Sequence, residues 1–306
     1  MARFIAGRLG QMVLTLLAAS MIVFVLVRLT GDPVDLIAPE GATAQFRAAL
    51  RANLGLDRSL PVQYLNFIRE FVVGNFGVSI RARIPVTELI SERVWATFAL
   101  AGVAIGVAFL IAIPAGVTAA RRRGTGVDTV ARGFAVLGQA TPAFWLGQVL
   151  LLLFAVRLGW FPTSGGNGPL AIVLPALTLG WWAAAGIMRL TRSSMLDVLS
   201  SDYIKFAKVK GVPARRVVWR HGFRNAVLPV VTFSSILFVT LLSGTVVVET
   251  VFAWPGLGSL LIFSVQGRDY PVVQALVLGG AVLYIVMNFV VVILYALLDP
   301  RIRVSS

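Results

Sequence analysis

Six stretches of this chain carry no charged residue and are long enough to cross a bilayer: residues 9–27, 94–120, 134–156, 169–188, 226–248 and 272–298. Covering about 30 Å of hydrocarbon takes roughly 20 residues of helix. Inside hydrocarbon, backbone N–H and C=O groups must be satisfied within the segment, so each stretch reads as a helix. The expected fold is an all-α membrane protein with six transmembrane helices. Composition agrees. The chain is 58% hydrophobic and 13% charged, against about half and about a quarter in soluble domains.

Arg3 and Arg8 precede the first stretch as in a signal peptide. That stretch is longer than a usual signal core and no small-residue cleavage site follows, so it reads as a retained helix. Lysine and arginine placement gives the orientation. With the N-terminus in the cytoplasm, residues 1–8, 121–133, 189–225 and 299–306 lie inside and hold 17 of the 27 basic residues, including all the lysines. Both termini are then cytoplasmic. The net charge of +14 therefore reads as topology rather than nucleic-acid binding. The expected organisation is an N-terminal helix (1–29), an external cap (30–93), a five-helix core (94–299) containing the cytoplasmic loop 189–225, and a tail (300–306). Within the cap, Tyr64, Phe67, Ile68 and Phe71 recur at helical spacing, which predicts a short amphipathic helix.

What is missing narrows the function. There is no cysteine and one histidine, His221, so cysteine- or histidine-based metal sites and thiol catalysis are excluded. Gly-Lys never occurs, so the chain has no P-loop for a nucleotide. The apolar stretches hold no Asp, Glu, Lys, Arg or His, which argues against a proton-coupled carrier. The chain reads as a translocation component whose energy comes from a partner.

The loop 189–225 has a definite pattern. Ser201 and Asp202 suit a helix start. Tyr203, Phe206 and Ala207 share one face. Lys208 and Lys210 suit the last turn, Gly211 the left-handed stop and Pro213 the next start. On residues alone this is either a docking corner or a basic, topology-setting loop.

The run Asp202-Tyr-Ile-Lys-Phe-Ala207-Lys-Val-Lys-Gly211, followed by Arg224-Asn225-Ala-Val-Leu-Pro229, resembles the EAA loop of ABC importer membrane subunits. Further stretches resemble the B-type permeases of the dipeptide and oligopeptide branch. They are Gly31-Asp32-Pro33, residues 54–64, 141–147 and 174–180, Glu249–Gly258, Arg268–Pro271 and Asp299–Arg303. One departure is Val292, where the last helix of this branch often carries an acid four residues after the Asn, here Asn288.

The resemblance implies a type I importer permease fold and a non-catalytic subunit that forms half of a path for di- or oligopeptides. It implies a second related permease, two ATP-binding subunits and an extracytoplasmic substrate-binding protein as partners, in a bacterial inner membrane. ATP and Mg would be held by the partner subunits and no cofactor or metal by this chain. Asp202, Tyr203, Phe206, Ala207, Lys208 and Gly211 would then form the loop that couples to the ATPases. Gln139, Pro142, Gln148 and Asn288 are candidates for the pathway or its gate, and Glu249 and Asp269 for external docking. Pro142 is singled out because Gln139, Thr141 and Gln148 make its helix polar. Permeases of the same build import nickel chelates, glutathione, opines or oligosaccharides. The contrasting class is a self-sufficient channel or a sodium-coupled carrier.

Overall fold

The computed structural model describes residues 2–29, 34, 38, 41–53, 55–165 and 168–298. Gly31-Asp32-Pro33, Leu54, Asp299–Arg303 and the tail 300–306 lie outside the described residues, as does the side chain of Val292.

Twelve helices are described: α1 Ala2–Leu29, α2 Ala44–Asn53, α3 Leu60–Val72, α4 Val86–Arg121, α5 Gly126–Ala140, α6 Ala143–Leu150, α7 Val173–Leu199, α8 Asp202–Val209, α9 Ala214–Arg216, α10 Arg224–Val251, α11 Leu257–Gln266 and α12 Tyr270–Leu298. α6 continues as a π-helical segment, Leu151–Arg157, and α9 as another, Val217–Phe223. Among the described residues the only extended pairing is one bridge between Val78 and Pro85.

Among the described residues five helices are long and apolar enough to cross a membrane, and α5 with α6 makes a sixth if that bent pair is one span. The apolar stretch 134–156 lies in this bent pair, which is broken at Pro142. The two halves meet at 103°. Thr141 is extended at ψ 119° and Pro142 at ψ 132°. Proline has no N–H to offer the preceding turn. Leu137 O instead accepts both Thr141 N and Thr141 Oγ1, at 3.0 and 2.6 Å. A difference from the sequence reading is α7, which runs past the apolar stretch to Leu199, so the first part of loop 189–225 is helix.

The chain divides into two compact units, Met1–Trp95 with Ser259–Val286, and Ala96–Gly258 with Met287–Ser306. In the first, α3 lies along α1. Tyr64 OH and Ser20 Oγ are 2.8 Å apart. Phe24 packs edge-on against Tyr64 with centroids 5.3 Å apart. Val23, Val27, Tyr270 and Leu278 form a buried cluster with Phe67 and Phe71 at its edge.

The second unit is held by close helix crossings at small residues, as in membrane bundles generally. A methyl on Gly116 would meet Met188 O at 2.8 Å, one on Gly138 would meet Ala185 Cβ at 2.6 Å, and one on Gly180 would meet Ala104 O at 2.9 Å. The core is Leu100, Ala104, Ala108 and Ala112 of α4 against Ala183, Ala184 and Ile187 of α7 and Val230, Leu237 and Leu241 of α10. These contacts fix the path. α4 and α7 run in the same direction, since residues 104 and 116 meet 180 and 188. At one end Asp128 of α5 bonds Arg192 of α7. At the other, Gly147 of α6 touches Phe252 and Gly165 touches Ala253. The bent pair therefore connects opposite ends of the unit and does not double back.

Candidate functional site

The corner after α7 is built from local rules. Ser201 has the extended backbone of a helix cap, φ −68° and ψ 154°. Its Oγ nevertheless donates back to Val198 O, which corrects the expected side-chain cap. Ile204 is fully buried and anchors α8. Asp202 pairs with Lys205 at 2.8 Å, both exposed, and such pairs stabilise little. At the far end Val212 N donates to Ala207 O and Gly211 N to Lys208 O, at 3.2 and 3.0 Å. Those two bonds make a Schellman stop, which needs a left-handed residue. Gly211 supplies it at φ 75°.

The corner is tied to the base of α10. Asn225 Nδ2 donates to Tyr203 OH at 2.7 Å, and both side chains also reach His221 O. Among its exposed side chains α8 carries two large apolar ones: Phe206 is 68% exposed and Val209 85%. Tyr203 and Lys208 are exposed and Ala207 is half-buried. Val209 was not singled out from the sequence, although it lies three residues after Phe206 and shares its side of the helix. A stiff corner with exposed apolar side chains is suited to insertion into a groove on another protein.

Of the pathway candidates, Gln139 and Pro142 come together. A cavity of about 410 Å³ opens at the α5–α6 break, lined by Gln139, Thr141, Pro142, Trp182, Thr240 and Gly244 among others. Gln148 is exposed on α6, and Asn288 is half-buried on α12. Neither lines that cavity. Sequence reasoning missed the charged groups nearby. Arg189 Nη1 donates to Gln139 Oε1 at 3.1 Å. Arg192 grips Asp128 through Nε and Nη2 at 2.6 and 2.9 Å, and Gly124 N adds a bond at 3.1 Å. Asp128 is 1% exposed. These partners are 50 and 64 residues apart, so no local pattern announces them.

The external candidates are corrected. Glu249 and Asp269 are buried rather than presented at a surface, because each carboxylate ties its own chain. Glu249 Oε1 accepts from Thr97 Oγ1 at 2.8 Å, and Thr97 Oγ1 accepts from Leu257 N at 2.9 Å. Gly256 and Gly258 wall the carboxylate so closely that a methyl on either would fall within 3 Å of it. Trp254 Nε1 donates to Ala96 O at 3.0 Å. Asp269 accepts from Ser79 Oγ at 2.5 Å, Ile80 N at 3.1 Å and Arg81 N at 3.3 Å, holding loop 79–81.

Residues 112–304 match the family described as binding-protein-dependent transport system inner membrane component, and residues 1–101 match its N-terminal membrane component. The chain belongs to this family of ABC importer permeases. It is 45% identical to the glutathione transport system permease protein GsiC of Salmonella choleraesuis, over 99% of both chains. Its identity to GsiC of Escherichia coli K12 is 43%, with the same coverage. Among solved structures it is similar to an inward-facing MetNI methionine ABC transporter. The TM-score is 0.55 at 20% identity, covering 69% of this chain and 96% of that one. An amino acid ABC transporter solved with histidines gives 0.51 at 15% identity, over 68% and 94%. Those two likenesses show the shared fold. The importer permease described here is thus a multi-pass inner-membrane protein and a non-catalytic transport component.

Proposed function

We propose that this permease forms half of an ATP-driven import path for glutathione or peptides of similar size. The second half is a related permease, two ATPases dock on α8, and an extracytoplasmic binding protein delivers the cargo. Supporting the reading is the α8 corner, with Phe206 and Val209 outward, Ile204 buried and the stop at Gly211. Similarity over 99% of the chain to permeases named for glutathione supports that choice of cargo. This shifts the emphasis from di- and oligopeptides at large to the glutathione alternative.

In this reading both termini are cytoplasmic, and ATP and Mg belong to the partner subunits. Closure of the ATPase pair moves α8. Tyr203 and Asn225 carry that motion into α10, and α7 carries it toward the cavity at Gln139 and Pro142. Proteoliposomes holding the four membrane-associated subunits and the binding protein should accumulate labelled glutathione only with ATP inside. A hundredfold excess of a dipeptide should compete weakly. Accumulation of dipeptide with none of glutathione would move the cargo back to general peptides.

A further inference from the structure

Arg189 stands at a level where α4 still carries no charge. Gly116 of α4 abuts Met188 and Thr191 of α7. α4 is uncharged from residue 94 to 120 and meets its next cation at Arg121. The helix between Gly116 and Arg121 is about 7 Å long at ~1.5 Å per residue. Arg189 therefore sits roughly one turn inside the apolar belt. One turn farther, Arg192 has the buried carboxylate of Asp128. Arg189 has the neutral Gln139 instead, and no carboxylate of the described residues pairs with it. Arg189 is also exposed. A guanidinium facing lipid at this depth is costly, so such groups face a water-filled cavity or a charged partner.

The cavity at the α5–α6 break supplies the second observation. Gln139 lines it and is the residue that Arg189 holds. Thr141 and Thr240 add hydroxyls to the same wall, and Trp182 adds an apolar ring. We infer that Arg189 and Gln139 form a carboxylate-binding subsite on the import path. An incoming carboxylate takes the place of Gln139 Oε1 on the guanidinium, which pairs with carboxylates bidentately. The Gln139 amide, released, then donates to the same ligand. Trp182 offers the cargo an apolar surface. The inference rests on the small-peptide reading, because every such cargo carries a free carboxylate.

The chain has no cysteine, so Thr240→Cys places a single thiol in the cavity wall. Its modification by membrane-impermeant anionic and cationic thiosulfonates is measured in the assembled importer in vesicles, read as a mass shift on this chain. Both reagents should react. Arg189→Gln should lower the anionic-to-cationic rate ratio severalfold, because losing one positive charge near the cavity slows the anion and speeds the cation. Arg189→Lys should keep the ratio, which separates charge from folding. Glutathione should protect the thiol, its diamide should not, and Arg189→Gln should remove the protection. A thiol that neither reagent reaches, or a ratio unmoved by Arg189→Gln, overturns the subsite. If the ratio falls while neither glutathione nor a dipeptide protects or is taken up, the anion subsite stands and the small-peptide reading fails.

Discussion

Gly211 shows how one residue sets the corner after α8. A methyl there would meet nothing within 4 Å, so substitution costs only the left-handed backbone. That is about 1–2 kcal/mol for most side chains and more for a β-branched one. Gly211→Ala should keep most uptake. Gly211→Val should insert normally and lose cargo-stimulated ATP hydrolysis in the assembled importer. Wild-type stimulation in the Gly211→Val complex would remove the corner from the mechanism. Asp128 poses the opposite case, where partner and not backbone matters. Asp128→Asn leaves the Arg192 guanidinium facing a neutral amide and should cost stability. The double variant Asp128→Asn with Arg192→Met should recover part of it. Thermal unfolding in detergent reads both, and additive losses would mean the two side chains act independently.

Among the elements, the α5–α7 crossing depends on Gly138, whose added methyl would lie 2.6 Å from Ala185 Cβ. Ala185 Cβ is fixed to backbone and cannot swing away. Gly138→Ala should therefore destabilise by about 1–3 kcal/mol, seen as a lower detergent melting temperature, whereas Gly102→Ala, with open space around it, should melt like wild type. This crossing also marks where the sequence stops being legible. The apolar stretches announce the helices because hydrocarbon dictates length and composition. Pro142 announces a bend, but its 103° depends on Thr141 abandoning the helix, which periodicity does not report. The α8 stop was readable because glycine chemistry is local. Glu249 and Asp269 looked like surface acids because both flank loops. Their burial depends on Thr97 and on Ser79, 152 and 190 residues away.

At the scale of the whole molecule we propose that a chain without a P-loop motif is driven through α8 by ATPase subunits. The direct test is to tag this permease, extract it in mild detergent from cells at native expression, and weigh what comes with it. Wild type should bring a second permease and P-loop ATPases. Phe206→Ser with Val209→Ser removes the exposed apolar surface of α8 and leaves buried Ile204 in place. That variant should keep the second permease and lose the ATPases. ATPases retained at wild-type yield in the variant, or a wild-type chain that comes out alone, would contradict the account.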